Sequence, residues 1–466
     1  MDSSLLLLVG GIVLVGVSGM PGLLSRRDYH WGQRLATCLT LAGALAGLAG
    51  AGLVLGGAAP ADWRGLGADA LSAWFLVPIF LIGGLGALYG EGYWRQKSHP
   101  VNGRKLRLFW GWLLLGMGVL VIARHGIVFL MGWEVMALSA FFLVSTEDEV
   151  ATVRASGWVY LIATHLGTLC LFAMFALLRA GNGSFALRPL DAAGTGLGML
   201  TAIYLLALVG FGLKAGILPL HFWLPGAHAN APSHVSALMS GVLIKMGIYG
   251  LVRFLGLLPD PPVAWGGILL ILGAISGVGG VLLAIGQHDL KRLLAYHSVE
   301  NIGIIVMGLG LAMLGRSAGR PDWVVLGLAG CLLHVWNHSL FKSLLFLGAG
   351  SVVHATGTRE NDHLGGLGRN MPRTAGFFLV GAAAICGLPP LNGFVSELLV
   401  YLGLFRTAGV GEGVSWPAAA MAAPALAMIG ALAVACFVKV SGAVFLGSER
   451  TAASGRAVEA RASMLV

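Results

Sequence analysis

Residues 211–225 read FGLKAGILPLHFWLP. A lysine, two prolines and a histidine interrupt an otherwise apolar run, and Pro219 follows Lys214 by five residues. An ionisable side chain at the centre of a membrane helix costs at least ~2.5–3.5 kcal/mol on insertion scales. A proline removes a backbone donor and ends or kinks a helix. Together they specify a membrane helix that stops just after a charge. The rest of the chain agrees. Of 466 residues, 57% are hydrophobic and 11% charged, where soluble domains carry roughly 25% charged residues. The 72 glycines suit close helix packing in lipid. A net charge of +9 would point to nucleic acid in a soluble chain. Here the basic residues sit in short loops between apolar runs, so membrane topology accounts for them.

A spanning helix needs ~20 apolar residues. Thirteen are expected, at about 4–24, 35–58, 71–93, 107–122, 126–144, 157–178, 198–218, 234–256, 263–286, 296–315, 323–353, 375–402 and 418–447. Lipid forbids open backbone and no alternating barrel pattern appears, so the fold class is an all-α polytopic membrane protein. The first span, MDSSLLLLVGGIVLVGVSGM, lacks a basic n-region and reads as uncleaved. With the N-terminus outside, seventeen of the 29 Lys and Arg residues fall on the inner side, Arg26 and Arg27 among them. Eight fall outside, Arg253 among them, and Lys214, Lys245, Lys342 and Lys439 lie within spans. The bias places the C-terminus in the cytoplasm and the chain in a cell inner membrane. The five cysteines share no motif and read as small buried hydrophobes, so no metal or cluster site is expected.

Two spans are broken. The seventh carries Pro219 and Pro225. The twelfth, AAICGLPPLNGFVSELL at 383–399, carries Pro389 and Pro390 with Glu397 beyond. Breaks at corresponding positions of two halves point to an inverted repeat with ion sites at the breaks. The expected division is helices 1–3 in 1–106, a first five-helix repeat (helices 4–8) in 107–256, a second (helices 9–13) in 257–447, and a cytoplasmic tail, 448–466.

The buried charges need a reason. Glu134 lies mid-span in FLMGWEVMALSAFFLV, and Lys214 is deep in the seventh span. They could simply pair to join helices, but buried pairs stabilise weakly because desolvation offsets attraction. A lysine whose proton affinity depends on a movable carboxylate such as Glu134 is instead a pump element. Lys245 sits midway along SGVLIKMGIYGLVR. His334, His338 and Lys342, spaced i, i+4, i+8 in LHVWNHSLFKSLLF, share one helix face and suit a proton relay. Glu397 follows a break whose freed backbone groups need a polar cavity. Further candidates are His165, which stands alone in its span, and His228 and His234, which either line a water-filled inlet or belong to an ordinary loop. Lys439 is open between packing, snorkelling and function.

The segments WEVMALSAFFLV, LKAGILPLHFWLPGAHANAPSHVSALMSGVLIKMGIYGLVR, LKRLLAYHSVENIGII, HVWNHSLFKSLLFLGAGSVVHATGTRE and GLPPLNGFVSELL resemble the antiporter-like subunits of respiratory complex I, Mrp-type sodium/proton antiporters and membrane-bound hydrogenases. The resemblance runs from about 70 to 447, and the wording of AYHSVENIG and LPPLNGFVSE is most similar to the large membrane subunit of hydrogenase-4 and formate hydrogenlyase (component B type). It implies fourteen core helices with two inverted five-helix repeats. It also implies a Glu–Lys pair at Glu134 and Lys214, a lysine at Lys245, relay histidines at His334 and His338, and a terminal charge at Glu397, where some relatives have lysine. The chain ends at EARASMLV, where the family enters a fourteenth helix; either a fragment or a split gene is expected.

The function expected is a proton-translocating membrane subunit of a redox-driven complex, of hydrogenase or NADH:quinone oxidoreductase type. The chain holds no redox cofactor. Iron–sulfur, nickel–iron or flavin centres belong to partner subunits in a peripheral arm, and the other partners are membrane subunits. The rivals are a subunit of an Mrp-type sodium/proton antiporter and a non-conducting scaffold for a hydrogenase arm.

Overall fold

The computed structural model describes residues 2–24, 30–58, 61–191, 194–259, 261–408 and 416–465; Arg26 and Arg27 lie outside the described residues. The helices are α1 (Ser3–Val17), α2 (His30–Leu55), α3 (Ala70–Tyr93), α4 (Gly103–Ile122), α5 (Gly126–Val144), α6 (Ala151–Asn182) and α7 (Leu197–Ala215). There follow α8 (Ser233–Leu255), α9 (Val263–Ile285), α10 (Leu290–Ser317) and α11 (Pro321–Thr356). The last are α12 (Pro372–Ile385), α13 (Asn392–Ala408) and α14 (Trp416–Phe445). Among the described residues, twelve helices are long and apolar enough to cross a membrane. α12 and α13 are the two arms of the broken element expected at 375–402. A two-stranded hairpin, Ala61–Trp63 with Leu66–Ala68, precedes α3. The protein is an all-α polytopic membrane protein.

The chain divides into two compact units. Unit 1 comprises Met1–Lys214, Asn230–Leu257 and Arg461–Val466; unit 2 comprises Ala215–Ala229 and Leu258–Ala460.

In unit 1, helices approach backbone to backbone. A Cβ on Gly11 of α1 would stand 2.7 Å from the Gly43 carbonyl of α2, so only glycine permits this crossing. α8 is irregular: residues Met239–Leu243 form a π-helical turn just before Lys245. Arg253 lies in the last turn of α8, within the span expected at 234–256. Its guanidinium grips the Asp69 carboxylate two-handed, at 2.6 and 2.7 Å. Asp69 is the N-cap of α3, accepting from the Ser72 backbone at 2.8 Å, and Arg124 adds a second cation at 3.3 Å.

In unit 2, α10 is enclosed by protein over its whole membrane length. Asp289 caps its N-terminus and pairs with Arg359 at 2.6 Å. The helix therefore starts at Leu290, six residues before the expected 296. The cap is the reason: its carboxylate takes the backbone donors of Lys291 and Arg292, at 2.8 and 3.0 Å.

Both breaks are present, in residues 216–223 and 386–391. α7 ends at Ala215 because Gly216 takes a left-handed φ of 78°. Pro219 lies in the break, and the Leu218 amide beyond α7 donates to Ser276 Oγ at 2.9 Å. Pro225 does not break a helix. It occupies the first turn of the short helix Leu224–Asn230, where a missing amide hydrogen costs nothing. Residues 448–465 are not a free tail. In unit 2 the Glu459 carboxylate accepts from the Arg373 amide at 2.7 Å and the Thr374 hydroxyl at 2.6 Å, capping α12. In unit 1 Met464 is buried, next to Gly92 of α3. Cys331, Cys386 and Cys436 are buried as expected, Cys170 is half-buried and Cys38 is exposed, since α2 turns that face outward.

The Asp69 cluster makes a stability prediction. The arginines hold the Asp69 carboxyl well below the usual carboxylate range. A depressed carboxyl contributes fully above its ordinary titration range, about pH 4, and loses its contribution only as pH falls further. Asp69→Asn, which keeps the cap oxygen, is expected to cost roughly 1.5–3 kcal/mol at neutral pH, and Arg253→Met about the same. Thermal unfolding in detergent should show the double variant little worse than either single; additive losses would mean the two act independently.

Candidate functional site: buried ionisable clusters in each unit

In unit 1 Lys214 occupies the last turn of α7 and is 2% exposed. Its ammonium donates to the Tyr160 hydroxyl at 2.9 Å and Thr164 Oγ1 at 3.3 Å, one turn apart on α6. It also lies over the rings of Tyr160 and Trp133, at 5.1 and 5.7 Å. Its direct partners are thus neutral oxygens and aromatic faces. Glu134, on α5, instead approaches His165 Nε2 to 3.7 Å, and its Oε1 has no hydrogen-bond partner. The expected Glu134–Lys214 pair is not a contact pair; the Glu134 charge acts on Lys214 across a gap. His165 is half-exposed on α6, so it sits at the rim of this cluster.

Lys245 is 1% exposed and donates to the Ser240 carbonyl five residues back. The π turn makes this possible, because the widened turn leaves that carbonyl facing the lysine. His234, at the head of α8, is buried among aromatic rings: Trp110 at 5.3 Å, Tyr93 at 5.6 Å and Tyr89 at 6.5 Å. It is a residue of the helix, not of a loop.

In unit 2 the expected face of α11 holds. The rings of His334 and His338 stack 6.4 Å apart, and Lys342 follows one turn on. His334 bridges two neighbours, with Ser396 Oγ at 2.9 Å and Asn301 Oδ1 at 3.0 Å. Ser396 belongs to α13, beside Glu397. The Glu397 carboxylate lies over Gly387 in the break, where a Cβ would come within 2.7 Å of it. Gly387 has φ 62°, which adds a second reason for glycine. Lys342 is wholly buried; its ammonium has no hydrogen-bond partner and lies 5.8 Å from the Phe346 ring. The other face of this arrangement is His228, buried and stacked on Phe346 at 5.4 Å. Lys439 is exposed and caps α9, donating to the Ile285 carbonyl at 2.9 Å, which is a helix-end role.

The sequence reading missed two residues of this site. His297 and Glu300, on α10, are buried completely and hydrogen-bonded to each other. Asn301, which binds His334, also donates to the His297 carbonyl at 2.8 Å. The Glu300 charge bears on Lys342. A span starting at 296 puts His297 and Glu300 in its first turns, where an ionisable residue raises no question. The missed signal was Asp289 before an apolar run, an N-cap that puts the start two turns earlier.

A family model described as NADH:quinone oxidoreductase/Mrp antiporter, TM, matches residues 123–411. Hydrogenase-4 component B of Escherichia coli (strain K12) is 39% identical over 404 residues, 85% of this chain and 59% of that protein. Formate hydrogenlyase subunit 3 of the same organism is 42% identical over 381 residues, 82% of this chain and 61% of that protein. The chain thus spans about three fifths of the length of these relatives. A subunit in the structure of the membrane-bound sulfane sulfur reductase, an archaeal respiratory membrane complex, shares the fold. The TM-score is 0.82 at 24% identity, over 98% of this chain and 73% of that one. The chain therefore belongs to the NADH:quinone oxidoreductase/Mrp antiporter family of membrane proteins, with buried lysine, histidine and glutamate clusters lodged in the matching helices.

Proposed function

We propose that this protein translocates protons as the antiporter-like membrane subunit of a redox-driven complex of hydrogenase or NADH:quinone oxidoreductase type. The observation that carries the reading is a repeated arrangement. In each unit a carboxylate touches a histidine while a buried lysine waits beyond contact: Glu134 with His165 and Lys214, Glu300 with His297 and Lys342. A carboxylate that moves from histidine to lysine stabilises charge on the lysine; its return releases the proton. Each unit would thus be a two-state proton loader, and the units would correspond to the repeats 107–256 and 257–447.

The names of the relatives support the setting. Redox centres, whether iron–sulfur, nickel–iron or flavin, would sit in a peripheral arm of partner subunits, alongside further membrane subunits. The residues would lie in a cell inner membrane, N-terminus outside and C-terminus in the cytoplasm. Glu397, on the half of its helix facing outward in that orientation, would release protons through the polar break.

Proton uptake by vesicles holding the assembled complex, driven by its own redox substrates, tests the reading. Lys214→Met should assemble on blue native gels yet pump at least about 10²-fold more slowly. Tyr160→Phe, which removes one hydrogen bond from Lys214, should have a smaller effect. Normal uptake by Lys214→Met would sink the proposal, and a requirement for sodium would favour the antiporter reading.

The second unit gives a separate prediction. Glu300→Gln and Lys342→Met should each stop most pumping, and the double variant should be little worse than either. Effects that simply multiply would mean that Glu300 does not act through Lys342.

Glu397→Gln cannot titrate and should block release, while Glu397→Asp and Glu397→Lys should keep partial activity. Full pumping by the glutamine variant, measured as pH-gradient formation, would remove Glu397 from the route.

A further inference from the structure

Unit 1 contains a cavity of about 30 Å³ that the clusters above do not use. Its walls are α2, α3, α4 and the head of α8. Gln33, Thr37 and Thr40 line it from α2, Gly90 from α3, Arg107 from α4 and His234 from α8. A water needs roughly 10–15 Å³ of such space and two to four polar partners. The volume therefore fits about two waters, and the partners are present. Arg107 Nε is buried with no hydrogen-bond partner, an orphan donor in the wall. The Gln33 side chain accepts from the Gln96 amide at 2.8 Å and donates only a long bond, 3.5 Å, to the Gly90 carbonyl. Beside the lining stands Glu91, half-buried, whose carboxylate accepts from Thr37 Oγ1 at 2.7 Å. At the inner end is His234, on the helix that carries Lys245.

Polar residues on α2 and α3 have no role in the loaders just described, and apolar residues would pack there more cheaply. From this geometry, and resting on the proton-translocation reading, we infer that the cavity is a hydrated proton inlet. Glu91 collects protons at the surface, and ordered water carries them past Thr37 to His234. Each water accepts one proton and gives up another, so the chain of hydrogen bonds is restored by reorientation and nothing is oxidised or reduced.

Gly90 offers a plug. A Cβ there has room, with His234 its nearest neighbour at 3.7 Å, so the branches of a leucine would extend into the void. In the assembled complex, Gly90→Leu should slow proton uptake about tenfold or more, while Gly90→Ser, small and polar, should pump near the wild-type rate. Radiolytic footprinting reads the water itself: Trp110 and Trp94, which line the cavity, should be labelled rapidly in wild type and protected in Gly90→Leu. Lys214→Met, measured alongside, separates the two ideas. Loss of pumping in Lys214→Met with wild-type pumping in Gly90→Leu overturns the inlet and leaves the loaders standing. If Gly90→Leu fails to assemble, the wild-type footprint decides, and unlabelled tryptophans overturn the inlet.

Discussion

A carboxylate among membrane helices needs a polar partner, and for Glu134 and Glu300 the partner in contact is histidine. That choice governs the rest. Paired directly with lysine, Glu134 or Glu300 would form an ordinary buried ion pair, expensive to open once formed. With histidine as the resting partner, the lysine keeps neutral company. Lys214 lies among hydroxyls and aromatic faces, and Lys342 against Phe346. Under the proposed mechanism, a modest displacement of one side chain would then change which base is charged. The enclosed α10 and the long, unbroken α11 supply the rigid frame in unit 2, while α5, α6 and α7 do so in unit 1.

The breaks serve the same constraint. Backbone amides and carbonyls at membrane depth need partners or water. Around Leu218 the partner is Ser276. Around Gly387 the backbone lies under the Glu397 carboxylate. A titratable group and an open turn occupy the same volume, so each accounts for the other's solvation.

Much of this could be read before any coordinates. Helix number, both breaks and the His334–His338–Lys342 face follow from apolar length, proline and i, i+4 spacing, which are local properties. Partner choice was not legible. Glu134 and Lys214 looked like a pair because opposite charges in lipid attract, but the spacing between α5, α6 and α7 put His165 nearer to the carboxylate. His297 and Glu300 were hidden by a span placed too late. Lys439 was ambiguous because a helix-end carbonyl on another element decides its role.

The π-helical turn at Met239–Leu243 has a wider consequence. One extra residue in a turn rotates everything after it by about 100° relative to a regular helix. In α8 the rotated part carries Lys245, and its far end is anchored by Arg253 to Asp69. Register and anchor are therefore matched: the insertion aims the lysine, and the clamp keeps the helix from unwinding the insertion. Shortening the chain by one residue within the turn would set those two demands against each other. The length of this segment is thus under tighter constraint than its composition.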